Sequence, residues 1–320
     1  APVASPAPPA TPRPAVAAPT PTPPPLAIVR RGGFLRWAQG DEPPNLDLLR
    51  VATGYGPLTL SPTVNGLLDW RADDWEKNYV APALAERWEA STDGLRYTFY
   101  LRKGVKWHDG APFTAKDVKF TFDRIKNPAK GETSPRKDSL EAVERVETPD
   151  DLTVVVYLSR PSASFLGSVT AGWIHIYPSH VPVDKFKTAI IGTGPFKLDS
   201  YERNVRYSFA RNDSYFLPGR PYLDGMEVFI IRDSATRLAA LRVHKTNTTG
   251  RGTVGTLTGS EARELERTVP GFKTRAHDRL LPWSVMINSS VKPWSDPRVR
   301  RAVHLALDRT PGASNGNTPE

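Results

Sequence analysis

No cysteine occurs among the 320 residues. That removes disulfides, thiolate nucleophiles and every cysteine-containing metal site, while leaving the compartment open. No long uncharged apolar run occurs either, and a transmembrane helix needs about 20 such residues. Gly-x-Ser-x-Gly elbows, P-loops and Gly-x-Gly-x-x-Gly turns are missing too. The six histidines (His108, His175, His180, His244, His277, His304) are scattered, and none pairs at the i,i+4 spacing of a metal-binding helix. Each is read as a satisfied surface or core side chain, so no metal and no cofactor is expected. Gly192-Thr193-Gly194-Pro195 is no phosphate cradle, because proline offers no N–H and a strand pattern follows. It reads as a turn.

What is present is an ordinary soluble composition, 39% hydrophobic and 24% charged, with a length that suits two domains. Proline is the outlier: of 32, eleven lie in the first 25 residues. Residues 1–32 are expected to be a disordered Pro/Ala-rich spacer, since they cannot bury enough apolar surface to offset ordering. They show no apolar h-region or cleavage signal of a secretory leader. Lys+Arg exceed Asp+Glu by 43 to 34. The basic residues are dispersed, and the densest group, Arg298, Arg300 and Arg301, reads as the solvated face of an amphipathic helix. No nucleic acid is expected as a partner.

The periodicities describe a mixed α/β chain. Strands are expected at Phe34–Ala38, Tyr97–Leu101, Leu152–Leu158, Phe196–Leu198, Arg206–Ala210 and Met226–Ile231. Thr114 with Asp117 should cap a helix whose stripe is Val118, Phe122 and Ile125. Ser234 should open another through Leu238 and Leu241, and Thr258 with Glu261 a third, ending near Val269-Pro270-Gly271. A last helix is expected to be capped by Ser295, with Pro297 in its first turn. Its apolar face would be Val299, Ala302, Val303, Ala306 and Leu307. Paired carboxylates such as Asp73-Asp74 and Asp150-Asp151 could in principle serve a carboxylate-dependent hydrolase. Adjacent acids on extended chain point apart, and both pairs read as solvated turns.

Several ordered motifs then resemble one family. They are Pro82-Ala83-Leu84-Ala85-Glu86-Arg87-Trp88-Glu89, Asp93-Gly94-Leu95-Arg96-Tyr97-Thr98-Phe99 and Leu101-Arg102-Lys103-Gly104-Val105-Lys106-Trp107-His108-Asp109-Gly110, followed by Pro112 to Val118. Gly192 to Leu198, Arg211 to Phe216, Gly219 to Asp224 and Asp296 to Ala302 continue the series. Over about 34–309 the chain resembles the family 5 extracellular solute-binding proteins, the receptors of peptide/nickel-type ABC importers. The resemblance implies a periplasmic-binding-protein-like class II clamp, an α/β fold with mixed sheets and flanking helices. Lobe one would span 33–270 with a subdomain about 61–185. The start of lobe two and a hinge strand would occupy 271–309, and 310–320 would be a disordered tail. With family-like sequence ending at Arg309, most of lobe one and only the beginning of lobe two are expected. Such a piece would bind ligand poorly and tend to self-associate, whereas a complete receptor would be a monomer. Val243 to Val254 departs from the family, being polar where a short turn into an acid-bearing strand is usual; an insertion or a shifted reading frame would each produce this.

The implied function is capture of a small solute, an oligopeptide by preference, and delivery to ABC permease subunits. No catalysis is implied. A carbohydrate or metal-chelate receptor of the same fold is the alternative. The implied place is periplasmic or cell-surface, with a lipid anchor on an upstream cysteine outside this chain as one arrangement. The resemblance puts Ala52, Thr53, Gly54 and Tyr55 on the cleft, with Gly54 permitting close backbone approach and Tyr55 stacking on ligand or packing between lobes. Arg136, after Ser134-Pro135, falls where an aromatic sometimes faces the ligand in relatives and would favour a carboxylate, the competing reading being a solvated loop charge. Trp283, in the hinge-side run Trp283–Asn288, is either a ligand platform or packing. Asp41 and Glu42 could meet a cationic terminus or simply make the turn before Pro43-Pro44.

Overall fold

Alternation decides where the strands lie. In the computed structural model, residues 30–70, 80–170, 172–248, 257–274 and 287–306 are described. The chain divides into two units, Ala1–Thr256 and Leu257–Glu320. The first unit opens with β1 (Phe34–Gln39), a short helix α1 (Tyr55–Leu60), and the strands β2 (Leu68–Trp70) and β3 (Val80–Pro82). There follow β4 (Ala85–Ala90), β5 (Arg96–Leu101), α2 (Ala115–Lys126), β6 (Val143–Asp150), β7 (Thr153–Leu158) and the single turn α3 (Phe165–Ser168). It closes with β8 (Phe196–Glu202), β9 (Arg206–Arg211), β10 (Gly225–Ile230) and α4 (Ser234–Arg242).

Two four-stranded sheets and a hairpin result, ordered β1-β10-β9-β8, β4-β5-β7-β6 and β2-β3. In β5 and β7 the period of two puts Phe99, Leu101, Val154, Val156 and Leu158 on the buried face. The opposite face stays half-buried, carrying Tyr100 and Tyr157 beneath the guanidinium groups of Arg87 and Arg145. β1 pairs with β10 in parallel, which brings the start of the unit beside its end. The remaining pairs of the large sheets are antiparallel. The β8–β9 connection turns at Asn204, whose φ of 61° lies in the left-handed region that asparagine tolerates.

The expected α2 forms as read, with Val118, Phe122 and Ile125 fully buried. Asp117 does more than cap it. Its carboxylate, 2% exposed, accepts from the Thr114 N–H at 2.9 Å, Trp107 Nε1 at 3.2 Å, and Ser179 N and Oγ at 2.8 and 2.7 Å. One acid thus ties the helix start to two distant loops.

The Gly192–Pro195 string is a turn, as expected, but a crowded one. Gly194 N donates to Thr63 O at 3.0 Å, and Gly194 O accepts from Asn212 Nδ2 at 2.9 Å. His108 joins it on both sides: Nδ1 accepts the Gly192 N–H at 3.3 Å while Nε2 lies 3.0 Å from Gly194 O. That pattern requires the proton on Nε2, and burial lowers the His108 pKa to about 4, so the ring stays neutral at physiological pH.

Two expectations need correction, the satisfied state of His175 and the Ser295 cap of the last helix. His175 is not a satisfied histidine: it is 1% exposed, neither ring nitrogen has a partner, and burial lowers its pKa to about 3. α4 opens at Ser234 as expected, and Asp233 just ahead of it has the extended backbone a cap needs and accepts from Thr236 N. After Val243 the polar segment makes one isolated bridge, Thr248 to Trp37, and no strand among the described residues. Asn247 and Thr248 N–H groups both donate to Arg36 O, and the Asn247 amide bonds Arg36 N and Phe34 O, extending the free edge of β1. In the second unit, α5 (Gly259–Thr268) carries the expected Thr258–Glu261 box, whereas α6 (Pro297–Ala306) is capped by Asp296 rather than Ser295. No residue of α6 is buried, so its expected apolar face has no cover among the described residues. Trp283, the run 283–286, His277, Leu307, Asp73-Asp74, residues 1–29, 249–254 and the 310–320 tail lie outside the described residues.

Candidate ligand-binding face

The loop after β1 is built as a pedestal under three exposed residues. Leu46, Leu48, Leu49 and Val51 are each at most 2% exposed. Leu48 N donates to Tyr177 Oη at 2.8 Å, and Leu46 N to Lys187 O at 3.2 Å. Between them Asp47, 1% exposed, receives both terminal nitrogens of Arg124 and the Leu49 N–H. The Arg124 guanidinium lies 4.8 Å from the Phe186 ring and 5.3 Å from that of Tyr177. Arg50 reaches Thr133 O at 2.8 Å and pairs with Glu132 at 3.1 Å. Leu46, Asp47, Leu48, Leu49 and Arg50 are therefore each anchored.

Above this base Ala52, Thr53 and Gly54 are exposed and Tyr55 is half-buried at the start of α1. Gly54 has φ −63° and ψ −22°, ordinary right-handed values, and a Cβ placed there meets nothing within 4 Å. The backbone does not demand glycine; its small size keeps the space above the loop open.

Arg136 corrects the reading as a solvated loop charge. It is 2% exposed, and its Nη1 donates to Val51 O at 2.6 Å. Its guanidinium sits 4.9 Å from the centre of the Trp173 ring. Burial lowers its pKa below the usual arginine value, against the fields of Tyr177 and Asp47.

Trp173 opens onto a groove of about 620 Å³ lined also by Trp70, Val80, Leu166, Gly172 and Ser139. The two tryptophans are 44% and 47% exposed, and none of the lining residues carries a charge. Trp173 Nε1 donates to Ser139 Oγ at 2.5 Å, fixing one indole. The other depends on Gly172, where an added Cβ would stand 2.5 Å from Trp70 Nε1. A concave, apolar, uncharged surface of this size suits a small organic ligand held by stacking and burial. The sequence reading passed over Trp70 and Trp173. Their only signal is large aromatics amid turn-forming neighbours, which reads equally as packing.

Glu42 faces inward instead. Its carboxylate accepts from Tyr201 Oη, Tyr207 Oη and Asn204 N at 3.2–3.3 Å, while Asp41 is exposed beside Arg232. Among the described residues no group of three or more His, Asp or Glu side chains could hold a metal ion. No described helix is long and apolar enough to cross a membrane.

Comparison with known proteins places the chain in a family. The family model for bacterial extracellular solute-binding proteins, family 5 Middle, matches residues 79–313. A probable di/tripeptide-binding protein of Pseudomonas aeruginosa is 32% identical over 262 residues, covering 74% of this chain and 48% of that protein. Heme-binding protein A of Haemophilus influenzae is 31% identical over 256 residues, covering 72% and 45%. The structure of a periplasmic binding protein, DppA from Helicobacter pylori in complex with the peptide STSA, superposes with TM-score 0.62 at 28% identity, over 68% of this chain and 46% of that one. This bears out the expected α/β fold of the class II periplasmic binding proteins. The chain spans about half the length of the curated relatives it matches.

Proposed function

The chain belongs to the bacterial extracellular solute-binding proteins, family 5, and from that premise we propose that it is the receptor component of a peptide-type ABC importer. It works outside the cytoplasm, captures a short peptide and hands it to membrane permease subunits. The 52–55 loop and the Trp70–Trp173 groove form one ligand-contacting face. The observation that carries this reading is the pair of half-exposed indoles in an uncharged groove, joined to the exposed loop through a single guanidinium. Half-exposed tryptophans in a concavity are apolar surface left open. Covering either one removes on the order of 100 Å² from water, about 2.5 kcal/mol. An apolar peptide side chain does that while its backbone amides meet the loop.

Charge-free aromatic grooves also suit sugars and macrocycles, and one relative carries a heme-binding name. Calorimetry separates these. The chain is titrated with alanyl-phenylalanyl-alanine, maltotriose, haemin and a nickel–histidine chelate. Heat of binding is expected for the tripeptide alone, with Kd roughly 0.1–1 mM from two indoles' burial before ordering costs. Trp173→Ala is expected to abolish it. Binding of the sugar, haemin or chelate with the peptide silent would overturn the peptide assignment. Sub-micromolar peptide affinity would show that the ligand meets more protein than this face.

A further inference from the structure

Arg136 is the cation that a ligand carboxylate would be expected to seek, and it is turned away from solvent. Its contacts close a ring. Nη1 donates to Val51 O at 2.6 Å, immediately before the exposed Ala52. The guanidinium lies 4.9 Å from the Trp173 ring, whose Nε1 donates to Ser139 Oγ at 2.5 Å. Ser139 N in turn donates to Arg136 O at 3.1 Å. Residues 51, 136, 139 and 173 come from three separate segments, and one side chain joins them.

The charge is not spent on an acid. Asp47, the carboxylate whose field reaches it, is engaged by Arg124, and Arg136 makes no ion pair among the described residues. The neighbouring His175 is held neutral, so no second cation competes at this point. The Val51 carbonyl and the Trp173 face are the contacts that offset the desolvation of this charge, while its Nε is buried without a partner.

We propose that Arg136 is a positioning residue. It fixes the chain at Val51, where the exposed Ala52–Gly54 loop begins, and fixes the Trp173 face, without itself touching the ligand. This rests on the ligand-binding reading of the loop and groove, but its first test needs no ligand. Backbone hydrogen exchange is followed in the full chain with Arg136→Met and Arg136→Lys. In Arg136→Met, the amides of residues 52–56 and 58 are expected to exchange about tenfold faster, the equivalent of one charge-assisted hydrogen bond. Amides of α2 and β7 should keep their wild-type rates. Arg136→Lys keeps a donor for Val51 O but not the planar stack. It should restore slow loop exchange while leaving the Trp173 indole N–H resonance shifted from its wild-type position.

Uniformly faster exchange through α2 and β7 in both variants would mean that Arg136 only stabilises the unit, and would overturn the proposal. So would wild-type loop exchange in Arg136→Met. A second arm separates positioning from direct contact by comparing alanyl-phenylalanyl-alanine with its C-terminal amide. The ratio of their affinities is expected to be the same in wild type and Arg136→Met, which lacks the charge. A preference for the free carboxylate that vanishes in the variant would make Arg136 a ligand contact and refute positioning. Failure of every peptide to bind, with loop exchange as expected, would instead count against the functional assignment alone.

Discussion

Gly192→Ala is expected to remove at least 4 kcal/mol of stability, or to leave the protein unfolded as expressed. A methyl group at that position would stand 1.7 Å from the carbonyl oxygen of Thr63 and 2.7 Å from its carbonyl carbon. Both are backbone atoms, so no side chain can swing aside. Gly194 is pressed against the same stretch, with an added Cβ 2.4 Å from Thr63 C and 2.5 Å from Pro62 O. The requirement is close approach, since neither residue has a positive φ. What would be pushed apart is a junction that also holds His108, Asn212 and the Thr193–Asn65 bond. Denaturant melts of Gly192→Ala, Gly194→Ala and Gly54→Ala give the comparison. Gly54→Ala, with open space around it, should lie within about 0.5 kcal/mol of wild type. A wild-type midpoint for Gly192→Ala would mean that this turn does not lie on Thr63.

Arg124→Met should cost about 3–5 kcal/mol, because it strands the Asp47 carboxylate at 1% exposure. The Leu49 N–H is the other donor to that carboxylate, and one neutral bond cannot replace a two-pronged guanidinium. Asp47→Leu is expected to be as harmful, since it leaves Arg124 charged between Phe186 and Tyr177. The double variant, with neither charge left inside, should be at least 1 kcal/mol more stable than the sum of the single losses predicts. Chemical denaturation of the four proteins measures this coupling. Strict additivity would mean that the pair does not hold the pedestal beneath the 52–54 loop.

Local features were readable because local chemistry sets them. The alternation of β5 and β7, the Thr114–Asp117 and Thr258–Glu261 boxes and the stripe of α2 need only neighbours in sequence. β6 was missed for an identifiable reason. Its register shifts between Val143 and Arg145 and again between Glu147 and Asp150, so the buried Val143 and Val146 fall three apart rather than two. β2 and β3 are three residues each, too short to show a period. β4, Ala-Glu-Arg-Trp-Glu-Ala, is polar enough to pass for surface chain of any kind.

The proposed site shows the same divide. The exposed loop at 52–54 was expected from resemblance, whereas what supports it was not. An arginine following Ser134-Pro135 looks solvated because the groups that bury it, Val51 and Trp173, lie far away in sequence. The crowding of Gly192 likewise depends on Thr63. Trp70 becomes an open indole only once Gly172 is brought beside it. Pairings of that kind are properties of the folded chain, and no window of sequence contains them.

The most direct measurement is a titration of the tryptophan indole N–H resonances with alanyl-phenylalanyl-alanine. Trp70 and Trp173 are expected to shift together and saturably, while the buried Trp37 and Trp107 hold their positions. Saturable peptide binding that leaves Trp70 and Trp173 unmoved, or that moves only the buried pair, would contradict the assignment of this face.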